Sequence, residues 1–131
     1  AVQDRILHQA RGYAQESGAE ITCTEEPHLA VSGADVVYTD VWTSMGQEAE
    51  AERRRREFAS YQVNTELLSV AKEDAIFMHP LPAHSGEEVA EGILDSPQSV
   101  VFDQAENRMH LQKALLAGML GGLGISLAGY R

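Results

Sequence analysis

The sequence predicts an α/β protein in which a parallel sheet is flanked by helices. Three observations carry this expectation. Apolar runs of strand length, enriched in β-branched residues, stand at 34–41, 74–79 and 99–103. Segments of helical periodicity surround and separate them at 1–18, 48–61 and 104–120, and such alternation means strand–helix–strand units with right-handed crossovers. The length of 131 residues, with 44% hydrophobic and 6% aromatic residues, suits a single domain, 1–131, and is too short for two.

The elements follow in order. AVQDRILHQARGYAQESG begins directly in helical periodicity, with Val2, Ile6, Leu7, Ala10 and Tyr13 near one stripe, and Gly18 suits a left-handed C-terminal position. AEITCT (19–24) reads as a strand, with Cys23 a small buried residue on it. Pro27 fits the first turn of a short helix running toward Gly33. ADVVYTDV (34–41) reads as a strand covered on both faces. EAEAERRRREFASY (48–61) is helical, with Glu50–Arg54 and Glu52–Arg56 at the favourable four-residue spacing. Asn64 is placed to cap TELLSVAK, with Glu66 in its first turn. DAIFMH (74–79) and SVVFD (99–103) supply the third and fourth strands, and QAENRMHLQKALLAGML (104–120) a long amphipathic helix. A beginning in helix with no strand before it predicts a piece of a longer chain. The tail LLAGMLGGLGISLAG (115–129) reads as a helix end and a loose terminus, too short and broken by glycine to span a bilayer.

Charge and cysteine usage narrow the function. A net charge of −10 argues against a nucleic-acid partner, which calls for a basic face. One cysteine excludes an intrachain disulfide and makes a reducing cytoplasm the expected compartment. No membrane partner is expected.

Parallel sheets bind ligands beyond the carboxyl ends of their strands, which marks TCTEE, TDVWTSMG, HPLPAHSGEE and FDQAENR in advance. In HPLPAH the prolines fix φ and remove donors, so a rigid corner of carbonyls is left to accept hydrogen bonds from an amine or amide; an X-Pro bond there can be cis. The competing reading is a plain strand terminator. Asp40 closes an apolar strand, where a carboxylate needs a partner such as an amine; alternatively it caps the next loop while Trp42 packs. Ser44 and the backbone near Met45 and Gly46 could bind a carboxylate or amino group. Arg108, one turn into the last helix, could fork onto a phosphate or carboxylate, or pair with Asp103 or Glu106. His79, His84 and His110 with Glu87 and Glu88 lack any zinc spacing, so no metal is expected. The arginine run 53–56, flanked by glutamates, reads as a solvated or interface face.

Taken together and in this order, ADVVYTDVWTSMGQE, YQVNTELL, FMHPLPAHSGEEV and SPQSVVFDQAENRMHLQKALL resemble the second half of the transcarbamylases, the ornithine carbamoyltransferases most closely, over most of residues 34–117. The resemblance implies a Rossmann-like acceptor-binding domain, partnered in a homotrimer by an amino-terminal domain for carbamoyl phosphate. It implies transfer of the carbamoyl group to the side-chain amine of L-ornithine, giving citrulline and phosphate in arginine biosynthesis, with no cofactor. Asp40 would hold the acceptor's amino group, Ser44 and Met45 would complete its pocket, Pro80 and Leu81 would sit at the reacting centre, and Arg108 would reach carbamoyl phosphate. His79, opening the corner, joins the substrate-binding set. Ornithine-type members carry cysteine where this chain has Pro80, and the aspartate-type HPLP is followed by arginine where this chain has Ala83. Acetylornithine, putrescine or aspartate as acceptor, or a non-catalytic binding or oligomerisation module, are the alternatives. The Ser-Thr-Arg-Thr phosphate motif of the amino-terminal half is absent, so the chain by itself is expected to be inactive.

Overall fold

The computed structural model describes residues 3–43, 46 and 48–120. Val2, Ser44, Met45 and the tail beyond residue 120 lie outside the described residues. Helix α1 (Asp4–Ser17) ends at Gly18, whose φ of 78° takes up the left-handed position expected of it. Helix α2 (Pro27–Val31) starts on its proline. Strand β1 (Val36–Tyr38) leads through a single 3₁₀ turn into α3 (Ala51–Phe58), then α4 (Thr65–Leu68) and strand β2 (Ile76–Met78). Asn64 caps α4 as its side chain predicts, its Oδ1 accepting from Leu67 N–H at 2.8 Å. Helix α5 (Val101–Leu120) closes the described chain.

β1 and β2 pair in parallel, Val36 with Ile76, Val37 with Phe77 and Tyr38 with Met78. Parallel pairing needs a long crossover, which α3 and α4 supply. The core gathers on one side of this pair. Phe77 is fully buried, clustered with Val37, Leu67, Val89, Ile93 and Val101. Burying each such side chain contributes about 1.5–3 kcal/mol. No described helix is long and apolar enough to cross a membrane.

Several expectations are corrected. Residues 19–24 form no strand, because nothing pairs with them among the described residues; they run mostly exposed, and Cys23 is exposed rather than buried. The run 99–103 pairs in parallel with β2, but only at a bridge between Ser99 and Phe77. Val100 C=O accepts from Gln104 N–H at 2.9 Å, so helix geometry takes over at Val101. The sheet is covered on one face only: Val37 and Phe77 are buried, whereas Val36 and Tyr38 are 47% and 57% exposed. The stripe on α1 is likewise open, with Ile6 and Tyr13 exposed and only Ala14 buried. On α3 the Glu50–Arg54 pair forms at 3.0 Å. Arg56, however, donates to the backbone carbonyl of Glu52 and not to its carboxylate.

Candidate functional site

The register of the sheet places two of the marked corners side by side. Tyr38 pairs with Met78, so Asp40 and Pro80 each stand two residues past the carboxyl end of neighbouring parallel strands. Thr39 N–H donates to Met78 C=O at 3.2 Å and extends the pairing toward them. Asp40 is exposed, and its Oδ1 accepts from Val41 N–H at 2.7 Å. The carboxylate is therefore satisfied by water and one backbone donor, and the argument that burial forces a partner on it does not apply. Trp42 packs as one reading held, its ring 6.2 Å from that of Phe58.

The HPLP corner has an unusual backbone. The Leu81–Pro82 bond is cis and Leu81 has a φ of 51°, a region that a bulky side chain enters at a cost of about 1–2 kcal/mol. Three side chains hold it. Gln104, in the first turn of α5, accepts from His79 N–H at 3.0 Å through its amide oxygen. The His79 ring is fully buried and its Nδ1 accepts from Leu81 N–H at 2.9 Å. That bond fixes the tautomer: Nδ1 is unprotonated and Nε2 carries the hydrogen. Nε2 faces Glu88 Oε1 at 3.3 Å, close enough to pair electrostatically although the N–H does not point along a hydrogen bond. Glu88 is itself fully buried, and the same oxygen accepts from His84 N–H at 2.6 Å. A buried carboxylate thus holds the loop after the corner and, through His79, the corner itself.

Across from the corner runs one face of α5. Ala105, Arg108, Met109 and Gln112 follow helical spacing and, with Pro80, Leu81 and Pro82, line an open cleft of about 620 Å³. Arg108 is exposed and forms no ion pair with a described residue; Glu106 pairs instead with His110 at 3.2 Å. The alternative of an intrahelical partner for Arg108 is thereby removed. Chemically, the cleft offers a free guanidinium opposite a turn whose prolines donate nothing, which suits a ligand combining an anionic group with N–H donors.

The structure thus brings together Pro80, Leu81 and Arg108, with His79 behind them and Asp40 at the adjacent strand end. Gln104 escaped the sequence reading, and Glu88 was weighed there only as a metal ligand. Gln104 lies one helical turn before Arg108, a spacing that would have placed it on the same face. Glu88 stands next to the buried Val89, where a paired acid signals an inward carboxylate. His84, Glu87 and Glu88 form the one group among the described residues whose ligand atoms lie close enough to hold a metal, within 4.8 Å of one another. Glu87 is already bound by Arg55 at 2.8 Å and Glu88 by His84 N–H.

Comparison with known proteins places the fold. The family model for aspartate/ornithine carbamoyltransferase, Asp/Orn binding domain, matches residues 1–119. The ornithine carbamoyltransferase of Thermococcus kodakarensis is 57% identical over 119 residues, 91% of this chain and 38% of the relative. The structure of the Pyrococcus furiosus ornithine carbamoyltransferase superposes with a TM-score of 0.82 at 55% identity, over 92% of this chain and 39% of that one. The anabolic enzyme of Campylobacter jejuni gives a TM-score of 0.83 at 40% identity, over 89% of this chain and 39% of that one. The chain therefore spans less than two fifths of the length of these relatives. By its fold and the match of its first 119 residues, the chain belongs to the aspartate/ornithine carbamoyltransferase family, within the part that forms the Asp/Orn binding domain.

Proposed function

We propose that this chain is the acceptor-binding part of an ornithine carbamoyltransferase, a single domain that serves transfer of a carbamoyl group from carbamoyl phosphate to L-ornithine in arginine biosynthesis. The observation that carries the proposal is the convergence of Pro80, Leu81 and Arg108 on one cleft, with Asp40 at the end of the paired strand. Arg108 binds a phosphate oxygen of carbamoyl phosphate. The carbonyls of Pro80 and Leu81 accept from the carbamoyl –NH₂ and hold its carbon toward the acceptor, with His79 supporting them from behind. Asp40 receives the acceptor's amino group, and Ser44 and Met45 complete its pocket. The neutral amine nitrogen forms a bond to the carbamoyl carbon while the bond from that carbon to the phosphate oxygen breaks. Phosphate departs with the electron pair, and one amine proton passes to Asp40 or to the leaving phosphate. Catalysis on this scheme is positioning and charge stabilisation, with no redox step and no cofactor.

The reading extends to the whole protein: a homotrimer in the cytoplasm, its carbamoyl phosphate held largely by another domain. Pro80 favours one further reading, a transcarbamylase with a different acceptor. The fold also matches that of N-acetyl-L-ornithine transcarbamylase, with a TM-score of 0.75 at 27% identity. The experiment is an assay of the whole protein that carries this chain, with carbamoyl phosphate and each of ornithine, acetylornithine, putrescine and aspartate. Citrulline from ornithine is the expected result. Turnover of another acceptor instead reassigns the substrate, and no product from any acceptor replaces the enzyme with a binding module.

A further inference from the structure

The arginine run at 53–56 has no part in the scheme above, yet its four side chains do different things. Arg53 reaches Glu50 and Glu57 at 3.7 and 3.6 Å and remains 61% exposed. Arg56 donates to a carbonyl of its own helix. Arg54 is the most sequestered of the three whose exposure bears on this, at 26% against 61% for Arg53 and 52% for Arg55. Its Nη1 donates to Trp42 C=O at 2.9 Å, while Nε and Nη2 donate to one oxygen of Glu50 at 3.1 and 3.0 Å. One guanidinium therefore ties together residues 42 and 50. The Trp42 ring adds a second tie to α3 through Phe58, whose own ring packs edge-on against Tyr61. Arg55 reaches the other corner, with Nε and Nη2 both 2.8 Å from Glu87 Oε1. Glu87 directly precedes the buried Glu88 that holds His84 and faces His79.

We propose that Arg54 is a positioning residue for the amino-acid acceptor, tying Trp42 and Glu50 to α3, and that Arg55 ties the same helix to the loop after the HPLP corner. α3 then acts as a brace between the two corners that receive acceptor and carbamoyl group. This rests on the function proposed above, because Ser44 and Met45 stand between Trp42 and Glu50 in the sequence. The role demands arginine: three N–H groups of one planar fork are in use, and a lysine ammonium cannot reproduce that geometry.

The test compares Arg54→Gln, Arg54→Lys, Arg55→Gln and Arg53→Gln in the whole protein. Arg54→Gln is expected to raise the KM for the acceptor about tenfold or more, the loss of a charged hydrogen-bond set, with the KM for carbamoyl phosphate within twofold. Arg54→Lys restores little of this. Arg55→Gln has a smaller effect in the same direction, since the Arg55 side chain is itself more exposed and ties down a single partner, and Arg53→Gln has none. A general structural role would move both KM values together, and that outcome, or an unchanged acceptor KM, overturns the proposal. Should the wild-type protein turn over no acceptor, the functional reading fails but the brace is still tested. Amide hydrogen exchange in the whole protein is expected to quicken at least about tenfold at the amides of 42, 43 and 48–50 in Arg54→Gln, with core amides such as that of Phe77 unchanged; equal exchange in mutant and wild type refutes the clamp.

Discussion

Truncating Glu88 tests the chain of contacts behind the corner. Glu88→Ala removes the acceptor of His84 N–H, a 2.6 Å bond to a carboxylate, and such charge-assisted bonds contribute about 1.5–3 kcal/mol. It also takes the negative group away from His79 Nε2–H, which is fully buried and already without a hydrogen bond, so only a weaker electrostatic attraction is lost there. Two effects offset these. A buried carboxylate is itself expensive to desolvate, and the partly buried His84 amide can turn toward water. The net expectation is a loss of about 2 kcal/mol, a substantial share of the roughly 5–15 kcal/mol by which domains are stable. Glu88→Gln keeps an acceptor oxygen of the same shape, so about 1 kcal/mol is expected to be lost. Urea unfolding with a shared m-value measures both. The NMR shift of the Leu81 amide supplies the second readout, because a His79 ring no longer facing Glu88 loses its hold on Leu81 N–H. A destabilisation by Glu88→Ala below about 1 kcal/mol would refute the energetics. A destabilised variant with an unmoved Leu81 amide would refute the relay through His79.

Four further outcomes are expected. Arg108→Gln raises the KM for carbamoyl phosphate about ten- to a hundredfold, the equivalent of one charged hydrogen-bond set, with far-UV circular dichroism unchanged because the side chain contacts no described partner. Pro80→Cys increases citrulline formation by the whole protein, since it returns the residue carried by ornithine-type relatives; a rate unchanged or lower assigns the corner's chemistry to the backbone alone. Asn64→Ala lowers stability by about 1 kcal/mol in thermal or urea unfolding, through the lost cap on Leu67 N–H. Asp35, through its 2.5 Å hydrogen bond first and its charge second, raises the Lys72 ammonium above its usual 10.5. A raised folded-state pKa stabilises below 10.5 and loses that contribution as pH climbs past it. The stability difference between wild type and Lys72→Met therefore shrinks in alkaline titration and stays level between pH 6 and 9.

The corners were legible in the sequence because they depend on local chemistry. A proline-locked turn after an apolar run, Asn64 before a helix and Gly18 after one act through their own backbones. What was misread depends on neighbours. AEITCT has strand composition, but a strand exists only by pairing, and its residues find no partner among those described. Residues 99–103 carry enough β-branched character for a strand, yet pairing with Phe77 lasts one bridge before the helix ladder from Val100 takes over. Asp40 follows an apolar run, which suggests burial, but burial is set by what packs over the strand end, and nothing described does. The roles of Glu88 and Gln104 behind the corner were missed for the converse reason. Polar residues in amphipathic segments read as solvent-facing, and only the fold reveals that both turn toward His79.

Leu81 explains why a site of this kind can tolerate a change as large as proline at position 80. A leucine at a φ of 51° is unfavourable through its own Cβ. The hydrogen bond from its N–H to His79 returns about 0.5–1.5 kcal/mol, comparable with the about 1–2 kcal/mol of backbone cost. His79 can give that bond only because Gln104 fixes its backbone N–H and Glu88 faces its far nitrogen. The conformation is therefore over-determined by residues 79, 88 and 104, none of which is residue 80. A change at residue 80 alters the group at the edge of the corner but not what holds the carbonyls in place. The shape of the shelf and the chemistry at its edge are set by different residues, so the first can persist while the second varies.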